Sequence, residues 1–298
     1  MAKPSPAISL IVSTIGRPAM LRRLVRSLAV EAATADFELI VVDQSTELSA
    51  EAVLAQTASA FPWTVCTSAR GVSRGRNRGL AEARAPYVTF PDDDAWYPGT
   101  TIRRVLEVFA ARPDLSGVST MLWDGEGRPN MLRWPATPQL VSRRNHYRTS
   151  IGSTTFARTV DARAIAGFDE NVGVGSGTPY GSCEDSDFVV RLLETGPIAY
   201  RPDLGVHHDA MHAMPDMSTA TKMYSYGAGQ AWFWRRHRFN PLQVAYLLGR
   251  KVGKVSLLTL TGSGDQTVFD RQFLRGVFDG FTGRVRSAAP PLTVPPAG

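Results

Sequence analysis

Two acidic clusters are the residues whose types and spacing can do chemistry. Asp92, Asp93 and Asp94 follow directly on the apolar run Tyr87–Phe90, in FPDDDAWYPG. Three adjacent carboxylates repel one another, so a compensating charge is expected. A hard divalent cation with oxygen ligands, Mn2+ or Mg2+, supplies it and also bridges to phosphates. The alternative is a solvated acidic turn that caps the helix beginning near Gly99. The second cluster is Glu184-Asp185-Ser186-Asp187, ahead of a segment, Phe188 to Glu194, that reads as a helix. A carboxylate there can act as a general base; it also suits a helix N-terminus.

Further polar groups follow the run Ala199 to Val206. His207 and His208 are vicinal, and on an extended chain they point to opposite sides, so at most one joins a metal site. A buried structural histidine is the alternative. Gly173, Gly175, Gly177 and Gly181 make the segment before Glu184 flexible, as a closing loop would be, but their spacing is not that of a phosphate-binding loop.

The elements that must position these groups begin with ISLIVS, Ile8 to Ser13, a buried strand broken by Gly16, Arg17 and Pro18. A helix follows with Leu21, Leu24, Val25 and Leu28 on one face. FELIVVD, Phe37 to Asp43, is a second strand, and YVTF, Tyr87 to Phe90, another. The strand–helix alternation predicts an α/β fold with a Rossmann-like, mainly parallel sheet flanked by helices. Ligands of such sheets bind beyond the carboxyl ends of the strands, where Asp43 and Asp92 fall. A helix is expected from Gly99 to Ala111, an irregular excursion over 112–150, and a strand including Ser153 to Phe156. The expected organisation is a catalytic domain over 1–214, a helical, basic and aromatic region over 215–286, and a disordered Pro-rich tail over 287–298.

The 298 residues are 43% hydrophobic and 20% charged, which suits a globular enzyme with a substantial core. Cys66 and Cys183 form no metal-type spacing or disulfide framework. Met1 to Pro6 lacks the layout of a signal peptide, and no apolar stretch approaches the length needed to span a bilayer. The expected location is the cytoplasm, with any membrane contact peripheral, at its inner face. The net charge of +6 gathers in two groups, Arg70 to Arg84 and Lys222 to Lys254, the second in a stretch free of Asp and Glu between Asp216 and Asp265. Nucleic acid is not expected as a partner, because the acidic clusters would repel its backbone.

ISLIVSTIGRP, FELIVVDQST, GVSRGRNRGLAEARAPYVTFPDDDAWYPG and AGFDE…CEDSDF occur in one order, and together they resemble family 2 glycosyltransferases, inverting enzymes with a GT-A fold. The resemblance covers roughly residues 7 to 210. It implies transfer of a sugar from a nucleoside-diphosphate donor, carrying UDP, GDP or dTDP, to a hydroxyl of a glycan or lipid-linked saccharide, in cell-envelope or exopolysaccharide synthesis. Ser13, Thr14, Gly16 and Arg17 would line the nucleotide pocket. Asp43 would bond the base or ribose, and Arg70, Ser73 and Asn77 would lie beside the nucleotide. Asp92 and Asp94 match the outer carboxylates of the DxD motif, with Asp94 the direct metal ligand, Asp92 nearer the ribose or metal, and Asp93 also on the donor side. Asp185 matches the base of the ED motif, with Glu184 in reserve, and His207 or His208 would complete the metal site.

Gln230-Ala231-Trp232-Phe233-Trp234 is similar to the QxxRW signature of processive synthases, but Phe233 stands at the arginine position, so single addition is expected. Trp232, Trp234 and the arginines beside them would otherwise form a face for anionic lipid. Two other functions remain open. A sugar-phosphate nucleotidyltransferase would use a related fold, although its glycine-rich loop after the first strand is missing from STIGRP. A basic membrane- or nucleic-acid-surface binder would leave the acidic clusters without a role.

Overall fold

The computed structural model describes residues 5–47, 49–209, 217–260 and 264–285; the Pro-rich tail at 287–298 lies outside them. In chain order the elements begin with β1 (Ile8–Thr14), α1 (Pro18–Glu31), β2 (Phe37–Asp43), α2 (Ala50–Thr57), β3 (Trp63–Thr67), α3 (Val72–Glu82) and β4 (Tyr87–Thr89). There follow β5 (Ala95–Trp96), α4 (Thr101–Ala111), β6 (Gly117–Trp123), β7 (Gln139–Leu140), α5 (His146–Thr149), a 3-10 turn (Gly152–Thr154) and β8 (Thr155–Arg158). The last are α6 (Thr159–Ala164), α7 (Glu184–Leu192), β9 (Ile198–His208), α8 (Met217–Arg236), α9 (Pro241–Leu260) and α10 (Gly264–Thr282).

The strands form one sheet in the order β3-β2-β1-β4-β8-β6-β9-β5, with β7 beside β9. β1 pairs in parallel with β2 and β4, and β2 with β3, as the alternation predicts. β8 runs antiparallel to both β4 and β6, which restores the β4 direction to β6 and to its parallel neighbour β9. The carboxyl ends of β1, β2, β4 and β9 therefore share one edge of the sheet. β1 and β2 are buried on both faces, which is why they read as continuous apolar runs rather than alternating ones.

Residues 112–150 correct the expectation of an irregular excursion. GVSTMLW within them is β6, buried from Gly117 to Leu122 and central in the sheet. Its Ser119 and Thr120 obscured it in the sequence; both are fully buried, and Ser119 Oγ donates to the Thr149 carbonyl at 2.6 Å. A buried hydroxyl is tolerated when it finds such a partner.

Two buried carboxylates hold the frame. Glu31, at the end of α1, accepts from the backbone N–H of Gly99, Thr101 and Ile102 at 2.9, 3.0 and 3.1 Å. It thereby supplies the cap that the start of α4 lacks locally. Glu38 accepts from Ser9 Oγ at 2.7 Å and pairs with Arg84. Helix α3 lies close on β1 because it carries glycines there: a Cβ on Gly75 would stand 2.2 Å from Ser13 Oγ, and one on Gly79 2.3 Å from Ile11 Cγ2.

The chain divides into two compact units, Met1–Asp169 with Glu184–His212, and Glu170–Cys183 with Ala213–Gly298. The first holds the sheet. The second holds α8, α9 and α10, together with the glycine-rich segment that the sequence-derived boundary at 214 assigns to the catalytic domain. In that unit Gly181 N–H donates to the Ser225 carbonyl at 3.1 Å and Ser182 Oγ to that of Tyr226 at 2.9 Å. Trp234 and Phe233 are buried in the same unit, Trp234 stacking on Phe281, so these residues of the aromatic run do not form an outward face.

Candidate active site at the carboxyl edge of the sheet

β4 delivers Asp92, Asp93 and Asp94 to the carboxyl edge, and the three side chains diverge into different surroundings. Asp93 is fully buried. Its Oδ2 accepts from Thr14 Oγ1 at 2.6 Å and from Arg17 Nε at 3.1 Å, while Arg17 Nη2 lies 2.5 Å from Oδ1. Burial pushes the Asp93 carboxyl up to about 6, against the pull of Thr14 and Arg17. Asp93 is thus a strut that ties the turn to the end of β1.

Asp94 meets Arg17 Nη1 at 2.9 Å and His208 Nε2 at 3.0 Å. Burial would raise its carboxyl, but the hydrogen bond and charge of His208, with Arg17, bring it down to about 2. The hydrogen bond that His208 donates to Asp94 in turn lifts the histidine to about 9. The register of β5 against β9 explains why this is His208 and not His207. Ala95 pairs with His208 and Trp96 with His207, and alternate residues of a strand face opposite sides. His207 stacks on Trp96 with ring centroids 5.4 Å apart, and its Nδ1 lies 2.9 Å from the Asp124 carbonyl. His207 is therefore withdrawn as a metal ligand.

Ligand atoms of Asp92, Asp94 and His208 all lie within 4.8 Å of one another. Two carboxylates and an imidazole suit Mn2+, and Mg2+ to the extent that oxygen donors dominate. The donor set on this edge fits a divalent cation.

α7 brings the second acidic cluster to the same place. Asp185 Oδ2 accepts from the Gly152 N–H at 2.8 Å, and Oδ1 accepts from Arg76 Nη1 at 2.5 Å. A Cβ on Gly152 would stand 2.3 Å from Asp185 Oδ1, so the absence of a side chain there leaves room for the carboxylate. Burial, and then the neighbouring Asp185 charge, push Glu184 up to about 7. Asp187 is not available for chemistry: it is fully buried and paired with Arg191 at 2.6 Å.

Of the remaining sequence candidates, Ser13 sits at the end of β1 against Gly75, and Gly16 and Arg17 form the turn into α1. Asp43 is buried at the end of β2. Its Oδ1 accepts from Ser45 N–H and Oγ at 2.9 and 2.5 Å, and its Oδ2 from Ala50 N–H at 2.9 Å, so it caps α2. Arg70 is exposed just before α3, and Ser73 is buried in its first turn. Asn77 is corrected. Its amide closes on both backbone groups of Phe168, each at 2.8 Å, and it braces the fold rather than lying open beside a nucleotide.

Arg76 is the functional residue that the sequence reading passed over. It is 4% exposed, and its Nη2 lies 3.2 Å from Asp92 Oδ1 while Nη1 holds Asp185. Burial would lower its pKa, but Asp185, Asp92 and Glu184 outweigh this and keep it above the ordinary arginine value. The signal was helical phase: Ser73, Arg76 and Leu80 share the buried face of α3, where an unpaired arginine would be costly. Arg23 was also passed over. It donates to the Asp94 carbonyl at 2.5 Å and lies over the Trp96 ring at 4.3 Å, which steadies the turn.

Comparison with solved structures places the same fold in S. aureus TarS 1-349 in complex with UDP-GlcNAc. The TM-score is 0.57 at 18% identity, over 74% of this chain and 66% of that one, just under two thirds of its length. A second crystal structure of S. aureus TarS 1-349 aligns over 93% of this chain and 83% of that one, at 16% identity and a TM-score of 0.57. The mannosyltransferase PcManGT from Pyrobaculum calidifontis, in complex with GDP-Man and Mn2+, aligns over 94% of this chain and 88% of that one, at 13% identity and a TM-score of 0.61. No curated protein matches by sequence. The family model described as Glycosyl transferase family 2 matches residues 9–165, more than half of the 298 residues. With β1 from Ser9 onward, the Asp92–Asp94 turn and Arg76 inside that match, the chain belongs to glycosyl transferase family 2.

Proposed function

We propose that this protein is an inverting, metal-dependent transferase that moves a sugar from a nucleoside-diphosphate donor to an acceptor hydroxyl. One observation carries the reading: a single buried guanidinium, that of Arg76, touches both Asp92 and Asp185. The cation-type cluster and the acidic pair of α7 therefore serve one reaction centre. The TarS and PcManGT structures, with UDP-GlcNAc and with GDP-Man and Mn2+, support a nucleotide-sugar donor and a divalent cation.

In this reading Asp92, Asp94 and His208 hold the cation. When bound, it offsets the charge that builds on the departing nucleoside diphosphate. Ser13, Thr14, Gly16, Arg17, Asp43, Arg70 and Ser73 border the nucleotide. Asp185 takes the proton from the acceptor hydroxyl as its oxygen attacks the anomeric carbon. The bond from that carbon to the diphosphate breaks, and its electron pair leaves with the nucleotide. Glu184, held near neutrality by burial, stands beside Asp185 as a reserve base.

The acceptor belongs to the cell envelope in this reading, presented at an anionic membrane surface. The support lies in the helical unit. On α9, Leu242 and Tyr246 are 81% and 63% exposed, and on α10 Arg271, Arg275 and Phe278 follow one another along a single face. Among the described residues no helix is long and apolar enough to cross a membrane, so contact would be peripheral. Flotation with anionic vesicles, reversed by salt, is the expected behaviour; no binding at low salt would remove the lipid surface from the proposal.

The decisive experiment is a thermal-shift and transfer screen of UDP, GDP and dTDP sugars with and without Mn2+. Stabilisation by one nucleotide class that requires Mn2+, together with release of the nucleoside diphosphate, is expected. Pyrophosphate released from a nucleoside triphosphate and a sugar 1-phosphate, in place of transfer from the nucleoside-diphosphate sugars, would identify a nucleotidyltransferase.

A further inference from the structure

Arg76 is buried, donates in two directions and is held from below. Its guanidinium lies 5.0 Å from the Phe168 ring centroid. Phe168 is clamped by Asn77, stacks on Phe188 of α7 at 4.3 Å and meets Phe90 edge-on at 4.9 Å. Phe90 stands two residues before Asp92, and Phe188 lies one helical turn beyond Glu184. The aromatic cluster thus fixes the two acid-bearing elements against each other, and the guanidinium spans the gap between their carboxylates. A planar fork can serve two acceptors in different directions, which a single ammonium cannot do with the same geometry.

We propose that Arg76 is a positioning residue that couples cation binding at Asp92 to the placement of the base, Asp185. The proposal rests on the reading of Asp185 as that base. Arg76 and a divalent cation compete for the same carboxylate of Asp92. Before the cation binds, the fork is shared; once Asp92 turns to the cation, the guanidinium serves Asp185 alone. The Gly152 N–H and Arg76 then hold one Asp185 oxygen each, which fixes the direction in which the carboxylate meets an acceptor hydroxyl.

The test uses the full chain with two substitutions, Arg76→Gln and Arg76→Lys, and reads Mn2+ affinity by calorimetry without substrate, alongside steady-state kinetics at saturating Mn2+. In Arg76→Gln, kcat falls about 100-fold with donor KM nearly unchanged. Its Mn2+ affinity rises about threefold or more, because a positive charge has left the site. In Arg76→Lys, Mn2+ affinity stays near that of the native protein, and kcat recovers only to within about tenfold. A purely structural role would lower the melting temperature without tightening Mn2+ binding. Native kcat in a folded Arg76→Gln, or weaker Mn2+ binding in it, overturns the proposal; if that variant does not fold, native kcat in Arg76→Lys does so. Asp185→Asn separates the two ideas. If it is inactive while the Arg76 variants keep native kcat, the coupling fails and the base stands; if it is active, the base reading fails and the coupling goes with it.

Discussion

Arg76 and Asp185 stand 109 positions apart in sequence and 2.5 Å apart between Nη1 and Oδ1. That contact joins α3, which packs on β1, to α7, whose first turn holds the acidic pair, at the edge where β4 delivers the aspartates.

Asp94→Asn removes the carboxylate shared by Arg17 and His208. Transfer is expected to fall by about 10²–10³-fold, as when a group stabilising developing charge is lost. Mn2+-dependent protection of the protein by nucleotide diphosphate should vanish in the same thermal-shift assay. Undiminished Mn2+ binding would remove Asp94 from the ligand set.

Asp185→Asn keeps the shape of the side chain and removes its basicity. A loss of about 10²–10⁴-fold in kcat is expected, with donor affinity retained, since a positioned base contributes on that scale. Isothermal titration with donor and Mn2+ separates binding from turnover. Full activity would move the base elsewhere, with Glu184 first in line.

Gly152→Ala places a methyl group where Asp185 Oδ1 now lies, so the carboxylate must leave its perch. A displacement of this kind costs up to about 10²-fold in rate when a reacting group shifts by about 1 Å. Donor KM should hardly change. A variant with native kcat would show that the Gly152 N–H does not aim the base.

The Asp94–His208 pair sets a pH dependence in chelated protein. His208 is raised from 6.5 to about 9, so its contribution to stability is complete below 6.5 and is lost as pH rises through about 9. Asp94 is lowered from 3.8 to about 2, so its contribution is complete above 3.8 and is lost as pH falls through about 2. Glu184 acts in the opposite sense to Asp94: raised from 4.5 to about 7, it erodes stability as pH climbs between those values. The melting temperature of the native protein minus that of His208→Asn should therefore shrink between pH 6.5 and 9. A constant difference across that window would exclude the ion pair.

Much of the framework was readable because its signals are local. ISLIVS and FELIVVD are continuous apolar runs, as strands buried on both faces must be, and Leu21, Leu24, Val25 and Leu28 repeat at helical spacing. β6 was not readable, since its Ser and Thr residues are polar in sequence and become acceptable only when the Thr149 carbonyl and other groups satisfy them inside the sheet.

By itself the sequence determined that one acidic cluster follows a buried strand and another opens a helix in an α/β chain, because strand and helix periodicity and turn chemistry are properties of neighbouring residues. Only the tertiary structure decided which groups meet. It chose His208 over His207 through the β5–β9 register, turned Asn77 into a brace for Phe168, and set Arg76 between Asp92 and Asp185. These are contacts between residues far apart in the chain, fixed by strand register and side-chain packing, and no local pattern encodes them.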